Sequence, residues 1–142
     1  MGAEEPQFLE VGSGPKRRRI AYRFGAARGD APAILWLPGF LSDMASTKAV
    51  ALAGFAEARG LPMLRFDYSG HELSEGNLLQ ASIGDWLDEA SAMLGLIGAK
   101  TRRVIVVGSS LGGWIALLLA RKLAHEGALE SDPFRLKRIR SF

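Results

Sequence analysis

Three times along this chain a short apolar run gives way, across a turn, to a segment with helical periodicity. The clearest case is Arg103-Val104-Ile105-Val106-Val107-Gly108, a β-branched strand pattern that precedes an apolar helix predicted over residues 111–124. Arg121 and Lys122 fall in the last turns of that helix, where cations suit the negative end of the dipole. Further upstream, Ala33-Ile34-Leu35-Trp36-Leu37 is apolar without interruption and is closed by Pro38-Gly39. A strand covered on both faces has this pattern, because neither alternate set of side chains meets water. Ser42 or Asp43 then supplies an N-cap for a helix running to about Arg59, stopped by Gly60. Between these two units, residues 62–67 form another short strand, residues 68–77 a turn-rich loop, and residues 82–97 a helix. Ser82 caps that helix, and Asp85 three residues later places negative charge in its first turn.

Such alternation demands parallel strand pairing, right-handed crossovers and helices on both faces of a sheet, so the fold class is α/β. Ahead of the first unit, residues 8–11 and 20–24 form an N-terminal β-hairpin around Gly12-Ser13-Gly14-Pro15. Lys16-Arg17-Arg18-Arg19 lies at its turn and is expected to be solvated.

Composition narrows the function. With 142 residues, 48% hydrophobic and 23% charged, the chain has the balance of one ordinary folded unit rather than a disordered polyelectrolyte. The net charge of +3 is uneven: residues 1–130 hold 14 Lys and Arg against 14 Asp and Glu. The surplus lies in residues 131–142, where Arg135, Lys137, Arg138 and Arg140 oppose only Asp132. A neutral body argues against a nucleic-acid-binding face. Cysteine is absent, which excludes disulfides, a thiolate nucleophile and thiolate metal sites. No cofactor or metal is called for. The longest apolar run, residues 114–120, falls far short of the roughly 20 residues a bilayer span requires. Met1-Gly2-Ala3-Glu4-Glu5-Pro6 carries no apolar export segment, so a soluble, cytoplasmic protein is expected.

Ligands in open α/β sheets gather where strands end and helices begin. The third such loop, Gly108-Ser109-Ser110-Leu111-Gly112, is a G-x-S-x-G pentapeptide. A sharp turn there lifts Ser110 above the sheet as a nucleophile, while the flanking glycines let strand and helix approach closely. The amide of Leu111, at the positive end of the helix, faces an oxyanion formed beside Ser110. The competing expectation is a Gly/Ser-rich turn whose hydroxyl merely caps the helix. In the first loop, Leu37-Pro38-Gly39-Phe40-Leu41, the glycine permits a turn that aims the amide of Phe40 into the same place as a second oxyanion donor. An ordinary strand-ending turn is the plainer option there.

With the middle loop Phe66-Asp67-Tyr68-Ser69-Gly70-His71-Glu72-Leu73-Ser74-Glu75-Gly76, these motifs resemble the α/β-hydrolase superfamily of serine esterases and thioesterases. The Asp-Tyr-Ser-Gly form, and Ser42-Asp43-Met44 with Lys48 following, are similar to the branch of acyl-protein thioesterases that also cleave acyl glucuronides, and to its bacterial relatives. The resemblance covers about residues 8–128. It implies hydrolysis of carboxylic esters or thioesters, on a small molecule or an acylated protein, through an acyl-enzyme at Ser110. It also implies that His71 is a structural loop histidine. Glu72 departs from the Gly-His-Gly common in the superfamily, so an altered turn is expected at that point.

A serine hydroxyl needs a general base, normally a histidine oriented by a carboxylate, and in the hydrolase order both follow the nucleophile. His125 is the only downstream histidine, and the intervening helix places it about 22 Å from Ser110. The chain therefore reads as the N-terminal part of an α/β-hydrolase domain, residues 1–130, truncated after the nucleophile helix. The triad acid and histidine are expected to be missing and the fragment inactive. Residues 131–142 are expected to be a basic tail that does not match the fold. In the superfamily strand order this would leave Val104-Ile105-Val106-Val107 at an uncovered edge, inviting self-association. A non-catalytic binding or assembly module is the competing class. A nucleotide-binding half-domain is disfavoured, because residues 108–113 form neither G-x-G-x-x-G nor a lysine-containing phosphate loop.

Overall fold

The computed structural model describes residues 5–25, 30–126 and 135–141, the last of these as backbone only. The strands are β1 (Gln7–Val11), β2 (Arg18–Phe24), β3 (Ala33–Leu37), β4 (Met63–Phe66), β5 (Arg103–Gly108) and β6 (Arg135–Ser141). The helices are α1 (Thr47–Ala58), α2 (Ile83–Gly98) and α3 (Leu111–His125). The strands form one sheet in the order β1-β2-β4-β3-β5-β6. The hairpin β1–β2 is antiparallel and joins β4 antiparallel, whereas β4, β3, β5 and β6 run parallel.

Strand alternation divides the core in two. Leu35, Leu37, Val104 and Val106 face α2 and α3, where Trp86, Met93, Ile97, Ile115 and Leu119 complete the larger cluster. Ile34, Trp36 and Val107 face the other way, toward Ala49 and Ala56 of α1. That two-sided demand is why the two central strands carry almost no polar residues. The α/β class, the N-terminal hairpin and the helices on both faces are as expected from the sequence.

Two expectations about boundaries are corrected. Helix α1 is capped by Ser46, whose hydroxyl accepts from the amide of Ala49, rather than by Ser42 or Asp43. Asp43 instead accepts from Ala45 two residues on, and Met44 donates to Asp67, so residues 42–46 are turn rather than helix. The second concerns the tail. Arg135–Ser141 pairs parallel to β5, from Arg103↔Arg135 to Gly108↔Ser141, with an irregularity between Val104 and Ile105. These residues therefore continue the sheet, and β5 is not an uncovered edge. Ladder bonds are made by the backbone. Among the described residues β6 is the last strand of the sheet, so its far side pairs with no described strand, a setting in which charged residues are tolerated. The expected boundary at residues 130/131 lies outside the described residues.

Candidate active site

The turn from β5 into α3 is built around a strained serine. Ser110 has φ 54° and ψ −115°, positive-φ backbone that a non-glycine residue occupies at a cost of about 1–3 kcal/mol. Its surroundings hold it there. The carbonyl of Ser110 accepts from the amides of Gly113 (2.9 Å) and Trp114 (3.3 Å), and that of Ser109 from Gly112 (2.9 Å). The amide of Ser109 donates to Leu37 of β3 at 3.2 Å. The flanking glycines are obligatory: a Cβ on Gly108 would lie 2.3 Å from the Gly112 carbonyl oxygen, and one on Gly112 only 1.9 Å from that of Leu37. The Ser110 hydroxyl makes no capping bond to α3, and the residue is exposed. The plain helix-cap arrangement is therefore not the one adopted.

The first loop lies against this turn. A Cβ built on Gly39 would sit 3.3 Å from the Ser109 carbonyl and 3.7 Å from Cβ of Ser110. The amide of Ser42 donates to the Gly39 carbonyl at 3.1 Å, closing a turn over Phe40 and Leu41. Leu41 carries φ 60° without being glycine, and its amide donates to Nε2 of His71 at 3.0 Å. Among the described residues, the amides of Phe40 and Leu111 donate to no protein acceptor. Sequence reasoning missed a contact at the side of the turn. Nζ of Lys48, early in α1, donates to the Ser109 hydroxyl at 3.2 Å, fastening α1 to the residue beside Ser110.

The middle loop braces the first. Asp67, buried at the end of β4, accepts from Met44 (2.8 Å) and Leu73 (3.1 Å), and its carbonyl accepts from the Ser74 hydroxyl (2.6 Å). Burial pushes its carboxyl above the usual range, against the pull of those two amides. His71 is buried among Phe40, Tyr68 and Trp86, with ring centroids 6.0, 6.0 and 5.6 Å away. With Nε2 occupied by the Leu41 amide and Nδ1 at 3.2 Å from the Ser69 carbonyl, the ring is spent on loop contacts. Glu72 has φ 34°, so this chain keeps a left-handed turn with a residue that pays for it in strain.

Arg18 is also corrected. It belongs to β2, and its side chain is 10% exposed rather than solvated at the hairpin turn. Its Nε lies 2.8 Å from Glu89, a fully buried residue of α2 whose other oxygen accepts from the Ser69 amide at 2.7 Å. Burial pushes the Glu89 carboxyl up, opposed by Ser69 and Arg18. It raises the phenol of Tyr68 as well, with the Glu89 charge as the second cause, and the hydroxyl of Tyr68 has no hydrogen-bond partner among the described residues. A signal for Glu89 was available, since it sits on the apolar stripe of α2 between Trp86 and Met93.

A strained serine between obligatory glycines, faced by a second loop at the same end of a parallel sheet, is a hydrolase arrangement. A family model described as the alpha/beta hydrolase family matches residues 11–140. The chain belongs to that family. Among its relatives is the rat protein named palmitoyl-protein thioesterase ABHD10, mitochondrial, 41% identical over 103 residues, or 72% of this chain and 33% of the relative. The human protein of that name is 37% identical over the same length. Among solved structures, a putative hydrolase from Agrobacterium vitis S4 superposes with a TM-score of 0.88 at 37% identity, covering 99% of this chain and 52% of the other. Mouse alpha/beta hydrolase domain-containing protein 10 gives 0.73 at 35%, covering 84% and 45%. This α/β hydrolase chain thus spans about a third of the curated relatives and about half of the solved ones, and the resemblance to the acyl-protein thioesterase branch holds. No helix among the described residues is long and apolar enough to cross a membrane.

Proposed function

We propose that the chain carries the nucleophile and oxyanion cradle of a serine hydrolase acting on carboxylic esters or thioesters. The observation that carries this reading is the positive-φ backbone of Ser110 between two glycines that cannot accept a Cβ. Ser110 Oγ attacks the acyl carbonyl, and the resulting oxyanion is met by the amides of Phe40 and Leu111, which have no other acceptor among the described residues. Expulsion of the alcohol or thiol leaves an acyl-enzyme on Ser110, which water then hydrolyses. The relatives named palmitoyl-protein thioesterases make a fatty acyl thioester, on a protein or a small molecule, the favoured substrate class.

Activating Ser110 requires a base that the described residues do not place beside it. His71 is committed to Leu41 and Ser69, and His125 is the last residue of α3. The 142-residue chain alone is therefore expected to react at Ser110 without turning over. Prolonged incubation with a fluorophosphonate, followed by peptide mapping, should give slow labelling confined to Ser110 and absent in Ser110→Ala. Hydrolysis of p-nitrophenyl acetate should not exceed that of the Ser110→Ala variant. Labelling that falls on Ser109, or that survives Ser110→Ala, would refute the assignment. A folded chain that takes no label would favour the non-catalytic binding module.

A further inference from the structure

The surroundings of His71 determine more than its burial. The Ser69 carbonyl, an acceptor only, lies 3.2 Å from Nδ1 and also accepts from Nε1–H of Trp86 at 3.1 Å. The Leu41 amide, a donor only, lies 3.0 Å from Nε2. A single neutral form of imidazole satisfies both neighbours: the proton on Nδ1 and the lone pair on Nε2. The other tautomer would set N–H against N–H on one side and lone pair against lone pair on the other. Three aromatic rings pack at 5.6–6.0 Å around the histidine, which is 5% exposed, so water is poorly placed to substitute for either contact. The Ser69 carbonyl is held in turn, because the Ser69 amide donates to Glu89 and Glu89 is paired with Arg18.

At the other end of this relay is Leu41, a non-glycine residue at φ 60°, a conformation that persists only where its surroundings enforce it. Phe40 precedes it within the turn closed by Ser42 and Gly39, and Gly39 abuts Ser110. We propose that His71 is a positioning residue of the oxyanion loop. As the Nδ1–H tautomer, fixed by the Ser69 carbonyl, it latches the Leu41 amide and thereby sets where the Phe40 amide stands relative to Ser110. This inference rests on the reading of Ser110 and Phe40 given above, and it adds to them a residue that touches neither substrate nor nucleophile.

The test uses the 142-residue chain and two variants that divide the functions of the ring. His71→Asn keeps a donor at the Nδ1 position for Ser69 but has no acceptor that reaches Leu41. His71→Gln carries an oxygen near the Nε2 position. Nitrogen NMR of the unaltered chain should show the His71 proton on Nδ1. Hydrogen exchange at the Leu41 amide should quicken at least tenfold in His71→Asn and stay within about threefold of the unaltered chain in His71→Gln. Affinity for phenylboronic acid, which forms a tetrahedral adduct on a serine in an oxyanion cradle, should follow the same order. A proton on Nε2, or equal behaviour of the two variants, overturns the proposal. An adduct that forms in the unaltered chain and is indifferent to His71→Asn overturns the positioning role alone. No adduct in the unaltered chain overturns the reading of Ser110, and the positioning role with it. If His71→Asn shows no cooperative unfolding transition, the tautomer and the His71→Gln affinity decide the matter.

Discussion

Replacing Gly112 by alanine sets two effects of opposite sign against each other. Helix propensity favours alanine by up to about 1 kcal/mol in a helix interior, and by less at the second residue of α3. Sterics oppose it. The new Cβ would stand 1.9 Å from the Leu37 carbonyl oxygen, 2.6 Å from the Leu37 carbonyl carbon and 2.8 Å from the Pro38 oxygen, all of them backbone. No rotamer change relieves such contacts, so α3 and the end of β3 must part by roughly 1 Å in an interior packed to crystal density. Overpacking of this kind costs about 1–3 kcal/mol, and a backbone obstacle points to the upper end. The net expectation is a loss of about 2 kcal/mol, or about 4–8 °C in Tm for a chain of this size. The same displacement moves Gly39 relative to Ser110, so adduct formation at Ser110 should fall even where the variant stays folded. Gly54 and Gly95 provide the control: they lie inside α1 and α2, and nothing stands within 4 Å of a Cβ built on either. Alanine there should stabilise by about 0.5–1 kcal/mol. Urea unfolding of the three variants is the assay. A Gly112→Ala chain as stable as Gly95→Ala would refute the close approach of strand and helix on which the serine turn depends.

Further expectations follow from the braces around the site. Glu89→Ala should destabilise by about 3–5 kcal/mol in denaturant titrations, because it leaves Arg18 buried without its partner and the Ser69 amide without an acceptor. Ser82→Ala should cost about 1 kcal/mol through loss of the capping box with Asp85, read from the shift in unfolding midpoint. Burial works to raise the carboxyl of Asp85, but the Ser82 hydrogen bonds and Lys16 outweigh it and hold the group below its ordinary value. Its contribution is therefore complete above the unfolded value of about 3.9 and is lost as pH falls through the lower folded value; Asp85→Asn should flatten the stability profile there. Glu72→Gly should be neutral or stabilising by up to about 1 kcal/mol in thermal unfolding, since it relieves a left-handed residue, whereas Glu72→Ala should give no such relief.

What the sequence disclosed and what it withheld divide along physical lines. The strands β3 and β5 were legible because burial on both faces leaves a continuous apolar run. The start of α2 was legible because Ser82 and Asp85 carry a local capping pattern. The start of α1 was misplaced because Ser42, Asp43 and Ser46 are all competent caps. The choice among them was made by Asp67, distant in sequence, which takes the Met44 amide. The fate of Arg18 was hidden for the same reason: its partner lies 71 residues away, and a run of four cations resembles a solvated turn until Glu89 is brought beside it. Residues 135–141 were misjudged by weighing side-chain charge against a buried strand, when the pairing is made by backbone at the last strand among the described residues. The tight strand-to-helix turn at Ser110 was legible because it constrains residue type directly at Gly108 and Gly112. The latch from His71 to Leu41 was not, because it depends on two loops meeting.

If the loops around Ser110 form a preformed cradle, equilibrium binding of phenylboronic acid reports it directly, because adduct formation does not depend on a general base for turnover. Boron NMR of the 142-residue chain should show a tetrahedral adduct that saturates with one site and disappears in Ser110→Ala. Boron that remains trigonal in the folded chain, or an adduct unaffected by Ser110→Ala, would contradict the account.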